Sequence, residues 1–231
     1  MSAPRTARAR AREELTREIK AAASRQLTDV GAAALSLRAV ARELGMASSA
    51  VYRYFPSRDE LLTALIVDAY DAVGAAAEQA EASVARADHA GRWLVTATAV
   101  RRWAVARPEE YALIFGSPVP GYRAPGTTVD PATRVPLLLL RVLNDAADAG
   151  QLRDARDADI PAPVRADFEA LRPQIAPGLS DEQYARALMA WTQLIGSISF
   201  ELFDHLKNVI HDYEAYFVFQ MTGVGARLGL N

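Results

Sequence analysis

The sequence predicts an all-α protein, and two observations support this fold class. Apolar residues recur at helical spacing in segment after segment, beginning with Leu37, Val40, Ala41 and Leu44. No stretch alternates apolar and polar residues for long enough to predict a strand. The chain has 231 residues, which is enough to bury a sizeable core in one large or two small domains.

The N-terminal quarter predicts three helices in close succession. The first runs from about residue 11 to 30. The second begins after Ser36, whose hydroxyl is a suitable N-cap for the backbone amides of the first turn. It ends at Gly45, because the left-handed conformation that often closes a helix is least strained at glycine.

A short third helix is predicted from about Ser48 to Phe55. Val51 and Phe55 are four residues apart and can pack on the preceding helix. Pro56 ends this helix, because proline disfavours the helical conformation at the residue before it. Ser57 begins a Ser-x-x-Glu capping box, which indicates that another helix follows.

Two short helices joined in this way occur both in ordinary helical hairpins and in helix-turn-helix motifs that enter the DNA major groove. Residue identity favours the second interpretation. A buried hairpin has no use for hydroxyl, aromatic and basic side chains along its terminal helix and exit, and these are Ser48, Ser49, Tyr52, Arg53 and Tyr54.

The stretch from Gly45 to Leu61, GMASSAVYRYFPSRDEL, resembles the signature of the tetracycline-repressor (TetR) family of transcriptional regulators. The resemblance covers about residues 10–75 and implies a three-helix DNA-binding domain. Ala47 departs from the pattern, since the family often has Ser or Thr at this position. We expect the hydroxyl of Ser48 or Ser49 to replace the missing cap.

The resemblance also implies roles for individual side chains. Tyr52, Tyr54 and Arg58 would bind phosphates and set the register on the duplex. Three short residues near the start of the recognition helix would meet base edges or thymine methyl groups, namely Ser48, Ser49 and Ala50. Arg38 would reach a phosphate or a guanine, whereas Arg53 is either a DNA contact or a solvated side chain. Because the short residues cannot make bidentate base contacts, we expect Arg38, the N-terminal arginines and DNA shape to supply much of the sequence preference.

Charge is distributed unevenly along the chain. Residues 1–60 contain 11 Lys or Arg and 7 Asp or Glu, while the remainder has an excess of acidic residues. A basic end on an acidic body suits a protein that touches a polyanion at one end. We expect residues 1–10 to form a basic, disordered arm that either follows phosphates and the minor groove or is simply solvated.

The rest of the chain predicts further helices separated by proline- and glycine-rich segments. Residues 116–126 are the densest of these segments, and residues 151–163 also look irregular. Helices are expected at about residues 78–90, 92–106, 109–115, 131–149, 164–172, 180–208 and 212–227. We therefore expect a helix-turn-helix domain at 11–58, a connecting helix at 59–90, and a helical effector-binding and dimerisation domain at 91–231.

Residues 93–205 show a second resemblance, to the C-terminal domain of a TetR subgroup named for a Trp-His-Gly element. Trp191 and Gly196 match that element, but Ile195 stands where the histidine usually is. Any polar role of the histidine therefore does not carry over to this chain.

The family resemblance implies a homodimer that binds a palindromic DNA operator, most often as a repressor, and is released by a small effector. Few ionisable groups interrupt the C-terminal helices, so we expect a largely apolar effector. Its candidate binding residues are Trp103, Tyr111, Phe115, Tyr122 and Trp191. The candidate dimer contacts are Phe200, Phe203, Phe217 and Met221. The alternative for both sets is that the residues belong to the hydrophobic core of a single chain.

Composition and spacing argue against several other classes of protein. The chain has no cysteine, and His205 and His211 are not placed to share one helix face, so we expect no metal site and no cofactor. Nucleophile and phosphate-loop motifs are absent, which argues against an enzyme. No apolar run approaches membrane-helix length, and the Arg-rich N-terminus lacks the apolar segment of a secretory signal, so we expect a cytoplasmic protein. The main alternative is a helical ligand-binding or interaction protein without DNA-binding activity.

Overall fold

The computed structural model of the protein describes residues 7–152 and 160–230, and within these ranges it contains helices and no strand. The all-α fold class is therefore confirmed. The helices are α1 (Ala7–Val30), α2 (Leu37–Glu43), α3 (Ser48–Tyr52), α4 (Arg58–Ala82), α5 (His89–Ala106), α6 (Pro108–Phe115), α7 (Val129–Asp148), α8 (Ala162–Ile175), α9 (Asp181–Leu202) and α10 (Tyr213–Leu228).

The ends of several helices differ from the sequence-based expectation. Helix α1 already begins at Ala7, so residues 7–10 of the expected disordered arm are helical, in keeping with their alternation of alanine and arginine, both strong helix formers. Residues 1–6 lie outside the described residues. Helix α9 ends at Leu202 rather than near residue 208, because Asp204 and Asn208 adopt positive φ angles that an α-helix does not allow.

The chain divides into two compact units. The described part of the first unit comprises residues 7–70 together with 109–129. Its core joins side chains of helices α1 to α4, and the buried members are Ile19, Ala22, Ala23, Leu27, Leu35, Leu37, Val40, Ala41, Val51, Phe55, Leu61, Leu62, Leu65 and Ile66. Two short helices, α2 and α3, thus share one apolar core with two long helices, α1 and α4.

Helix α6 and the loop after it pack against this same core, through Leu113, Ile114, Val119 and Tyr122 among others. The hydroxyl groups of Thr63 and Tyr122 lie within hydrogen-bonding distance at 2.8 Å. Tyr70 donates from its hydroxyl to the Ile114 carbonyl at 3.3 Å, and burial raises the pKa of Tyr70 above its usual value. Residues 109–129 are therefore part of the first unit, although the sequence analysis includes them in the expected C-terminal domain at 91–231.

The second unit comprises residues 71–108 and 130–230 of the described chain. Trp93 of α5 is buried and donates from Nε1 to the Met221 carbonyl at 2.9 Å, which connects α5 to α10. Arg101 of α5 forms a two-point ion pair with Glu201 of α9, with both N–O distances at 2.7 Å. The Arg101 guanidinium also lies over the Phe217 ring, 5.6 Å from its centroid.

A buried arginine organises one end of this unit. The side chain of Arg92 is fully buried and donates from Nε to Glu81 at 2.6 Å, and from Nη2 to Asp145 at 2.8 Å. Its Nη1 donates to the Arg86 carbonyl at 3.1 Å. Every side of the guanidinium is therefore paired, which a charge buried away from water requires.

We expect Arg92→Ala to lower the free energy of unfolding of the second unit by about 3–5 kcal/mol, because it leaves buried carboxylates without their partner. Arg102→Ala is the matched control. Arg102 pairs with Glu214 at 3.4 Å, both side chains are mostly exposed, and its loss should cost at most about 1 kcal/mol. Urea denaturation followed by tryptophan fluorescence measures both, since all three tryptophans belong to the second unit. Equal losses in the two variants would contradict the assigned role of Arg92.

Candidate nucleic-acid interface

The turn between α2 and α3 is closed by backbone hydrogen bonds. Ser36 caps α2 by accepting from the Ala39 amide, as the sequence indicates. At the other end, the Met46 amide donates to the Ala41 carbonyl at 2.8 Å and the Gly45 amide donates to the Arg42 carbonyl at 3.2 Å. This pair of bonds is a Schellman motif, and it requires the positive φ of 64° that Gly45 adopts.

Helix α3 is shorter than its sequence predicts and lacks a side-chain cap. Its N-cap is Ala47, which has extended backbone angles and no side-chain hydrogen bond, so neither neighbouring serine replaces the missing hydroxyl. The helix ends at Tyr52 instead of near Phe55. The amides of Tyr54 and Phe55 both donate to the Val51 carbonyl, at 2.9 and 3.0 Å, so a tight turn leads into Pro56.

The two faces of α3 differ in exposure. Val51 is fully buried, and Phe55 after the helix is nearly so. Ser49, Tyr52 and Arg53 are exposed, and the exposed fraction of Tyr52 is 42%. Ser48 and Ala50, also in the expected contact set, are half-buried. The structure thus presents hydroxyl, phenol and guanidinium groups on the exposed side of α3, while buried apolar side chains anchor its opposite side in the core.

Helix α2 adds two positive charges to this surface. Arg38 and Arg42 are exposed and four residues apart, so they share one face of the helix. Neither has a hydrogen-bond or ion-pair partner among the described residues. Arg38 was expected from the sequence, whereas Arg42 was missed. Its position could have been inferred from the sequence, because Arg42 is four residues after Arg38 and both lie on the face of α2 opposite the buried Val40.

Tyr54 is linked to the N-terminal helix. The guanidinium of Arg12 lies over the Tyr54 ring at 5.2 Å from its centroid, within the range of a cation–π contact. Arg8 is one helical turn earlier on α1, is exposed and has no partner among the described residues. The basic start of α1 therefore lies on the same side of the unit as Tyr54.

Arg58 has partners inside the protein. Its Nη2 donates to the carbonyls of Ala32 and Ala33 at 2.9 and 3.1 Å, in the 3₁₀ turn that follows α1. Its Nη1 is 3.6 Å from Asp59. This side chain fastens the start of α4 to the end of α1, and the phosphate contact that the sequence suggests remains a prediction.

The candidate effector residues fall in both units. Tyr111, Phe115 and Tyr122 belong to the first, where the rings of Tyr111 and Phe115 are 5.2 Å apart and Phe115 meets Tyr70 edge-on at 6.0 Å. Trp103 and Trp191 belong to the second unit. The structure therefore does not gather these five aromatic residues into one site within either unit.

The candidate dimer residues also divide into two groups. Phe200 and Phe203, at the end of α9, are exposed. Phe217 and Met221 of α10 are buried against α5 within their own chain, so the core alternative describes their position. Phe219, which was not among the candidates, has an exposed fraction of 74%.

Within the described residues, no group of three histidine or acidic side chains is placed to hold a metal ion. No helix in these ranges is both long and apolar enough to cross a membrane.

Comparison with known proteins identifies both parts of the chain. Residues 19–65 match the family described as bacterial regulatory proteins, tetR family. Residues 93–224 match the family described as tetracyclin repressor-like, C-terminal domain. The first match contains the α2–turn–α3 motif, and the second covers more than half of the chain.

Individual proteins agree with these matches. The chain is 42% identical over 194 residues to the HTH-type transcriptional regulators Rv1816 of Mycobacterium tuberculosis (strain H37Rv) and Mb1846 of Mycobacterium bovis, which covers 84% of this chain and 82% of each relative. Among solved structures, the putative regulatory protein SCO4313 is similar, with a TM-score of 0.75, 37% identity, and coverage of 95% of this chain and 98% of that one.

We expect Gly45→Ala to destabilise the first unit by about 1 kcal/mol, because alanine is strained at the positive φ of the α2–α3 turn. Gly126→Ala is the control in the same unit, since Gly126 has no positive φ and nothing lies within 4 Å of an added Cβ. Thermal unfolding followed by circular dichroism, with hydrogen exchange of the α2 and α3 amides, measures the effect. A Gly126 variant that is destabilised as much would show that the turn conformation is not the cause.

Proposed function

The chain belongs to the tetR family of bacterial regulatory proteins and carries its helix-turn-helix DNA-binding domain, and from this premise we propose that it is a homodimeric repressor released from a palindromic operator by a small effector. One observation carries the DNA-binding part of the proposal. The exposed side of α3, with Tyr52 and Arg53, lies next in sequence to an α2 face that holds two unpaired arginines.

The proposed contacts follow from the chemistry of these side chains. The hydroxyl of Tyr52 and the ring-stacked Tyr54 bind phosphates and fix the register, and Arg58 contributes where its remaining N–H groups allow. Ser48, Ser49 and Ala50 approach base edges. A hydroxyl group has only one donor and a methyl group has none, so neither can donate two hydrogen bonds to one guanine; the arginines of α2 supply the bidentate chemistry that distinguishes guanine.

Dimerisation through the last two helices is supported by their exposed apolar side chains. Met189, Phe200 and Phe203 of α9 and the segment after it are exposed, as is Phe219 of α10. A two-fold axis at this face joins two copies through identical surfaces. It also provides two recognition helices for half-sites that are one turn of DNA apart, about 34–36 Å, or somewhat more.

Release by an effector requires that the ligand bind more tightly to the state that no longer fits the operator. We place this role in the helical C-terminal domain, in the cytoplasm, with no catalytic step and no cofactor. The alternative is a helical ligand-binding or interaction protein that does not bind DNA. The unpaired arginines of α2 favour the regulator, since such charges have no evident structural partner in the first unit.

The first test is fluorescence anisotropy with the DNA directly upstream of the protein's own gene, at several salt concentrations. We expect binding tighter than to random duplex DNA and weakened by added salt, because phosphate contacts release counterions. Arg38→Ala should lower the affinity by about 1–3 kcal/mol if Arg38 reads a guanine, with relaxed preference at that base pair. Arg141→Ala, an exposed arginine of the second unit, is the matched control.

The outcomes of this measurement are distinct. A phosphate role for Arg38 would appear as uniform weakening on all sequences, with the salt slope reduced by about 1. Unchanged affinity and preference in Arg38→Ala would refute its assigned role. If the protein shows no salt-dependent binding to any duplex DNA, the repressor proposal is refuted and the ligand-binding alternative is favoured.

The proposed dimer has its own test. We expect Phe219→Asp to raise the dimer dissociation constant at least about tenfold, since a charge would replace an apolar contact at the two-fold face. Val129→Asp places the same charge on an exposed apolar residue of the first unit and should leave the dimer intact. Light scattering over a dilution series measures both. An unchanged association state in Phe219→Asp would place the dimer contact elsewhere.

A further inference from the structure

Helices α4 and α5 leave an open groove of about 800 Å³ within the second unit. On α5 its walls follow one helical stripe through Leu94, Thr98, Arg102 and Ala106. On the opposite side, the lining residues also recur at helical spacing along α4. These residues are Ala76, Gln79 and Ala80 of α4 and Ser83 directly after it. Val218 of α10 lines the groove as well.

The groove is open because the facing side chains are small. It is lined by Ala76 and Ala80 of α4, by Ser83 directly after α4, and by Ala99 in the middle of α5. Larger residues at these positions would fill the groove between the two helices. Its neutral hydroxyl groups are already bonded to their own helices. Thr98 donates to the Leu94 carbonyl and Ser83 to the Ala80 carbonyl, at 2.8 and 2.7 Å. The middle of the groove is thus apolar in character.

One end of the groove carries positive charge. Arg102 and Arg107 both line it at the C-terminal end of α5. Arg107 is exposed and has no hydrogen-bond or ion-pair partner among the described residues. Arg102 has a partner in Glu214, but at 3.4 Å between two mostly exposed side chains this pair is weak. Both guanidinium groups are therefore available to an anion.

Trp103 lies beside these arginines at the same end of the groove. Its side chain lines the groove and is 95% buried, yet its Nε1 has no hydrogen-bond acceptor. A buried indole N–H normally finds a partner, because leaving it unpaired is costly. This nitrogen is shielded from solvent by neighbouring atoms, so an occupant of the groove would meet the ring of Trp103 and not its N–H.

We propose that the groove binds an amphipathic monoanion, with its apolar body between α4 and α5 beside the ring of Trp103, and its carboxylate at Arg102 and Arg107. The volume suits a ligand of drug-like or medium-chain size. The inference rests on the proposed function only in that this ligand would be the effector. It adds to the expected apolar character of the effector a single negative charge.

The choice of occupant follows from charge. A wholly uncharged ligand would leave the arginine end unused, and a cationic amphipath would be repelled by it. A second copy of the chain would have to place an acidic side chain at the same end. We favour the small anion, because an open groove of this size between two helices can hold an alkyl chain or a ring system but is too narrow for the surface of a second folded protein.

The test compares three probes of one length with the full-length protein by isothermal titration calorimetry: decanoate, 1-decanol and decylammonium. We expect decanoate to bind most tightly and decylammonium most weakly. Arg107→Gln should weaken decanoate about fivefold and leave 1-decanol unchanged, since it removes one charge contact. Ala80→Phe should weaken all binding by filling the groove. Arg141→Gln is the matched control for loss of an exposed arginine.

A fluorescence measurement reports the location of the bound probe. Decanoate should change the tryptophan emission of the wild type, and Trp103→Phe should remove most of that change, because Trp93 and Trp191 do not line the groove. Equal binding of the three probes, or binding that neither Arg107→Gln nor Ala80→Phe alters, would overturn the proposal. So would a change from dimer to monomer in Ala80→Phe, which would show that a second copy covers the groove.

The same proteins separate this proposal from the proposed function. Operator binding is measured by anisotropy without probe, and Arg107→Gln should retain wild-type affinity for DNA. If decanoate binds but no duplex does, the ligand site stands and the repressor proposal fails. If the operator binds and none of the three probes does, the repressor proposal stands and the ligand assignment is wrong.

Discussion

The position of the recognition helix depends on apolar burial, because α3 is too short to be stable by itself. It has five residues, far fewer than the roughly 12–15 that an isolated helix needs in water. Burial of Val51 and Phe55 contributes about 1.5–3 kcal/mol each, and it fixes which side of the helix faces outward. Ser49, Tyr52 and Arg53 are therefore exposed as a consequence of packing on the opposite side. With no side-chain cap at Ala47, the start of the helix has a backbone bond instead, in which the Ala50 amide donates to the Ala47 carbonyl at 2.9 Å.

Arginine has two physically different uses in this chain, and only the structure separates them. Arg58 and Arg92 are paired with carbonyls and carboxylates, and Arg134 is clamped by Glu78 and Asp71. Arg134 holds the pKa of Glu78 below its usual value, so that pair weakens only as acid protonates the carboxylate. Arg38, Arg42 and Arg107 have no such partners. An arginine whose five donors are unused is the one available to an external anion.

Much of the first unit could be predicted from local signals. The Ser36 cap, the Gly45 turn and the buried face around Val40 are each determined by a few neighbouring residues, and the structure has all three. The sequence predicts that α3 continues to about Phe55, whereas the helix ends at Tyr52 and the amides of Tyr54 and Phe55 both donate to the Val51 carbonyl. Nothing local indicates that Tyr122 meets Thr63, or that Arg58 reaches Ala32, since these contacts join residues 59 and 26 positions apart. Exposure of Phe219 and burial of Phe217 follow from the packing of α10 against α5, which periodicity alone does not orient.

The alanines of α4 show how one composition can serve two purposes. In the sequence they indicate only high helix propensity, because alanine loses no side-chain entropy when a helix forms. In the structure Ala77 is fully buried, whereas Ala76 and Ala80 line the groove beside α5. A leucine at Ala80 would keep the helix and remove the space. Propensity therefore explains why α4 is a helix, and side-chain volume explains why there is a groove beside it. Among the described residues, it is the small volume of these side chains, and not their helix propensity, that leaves room for a ligand beside α4.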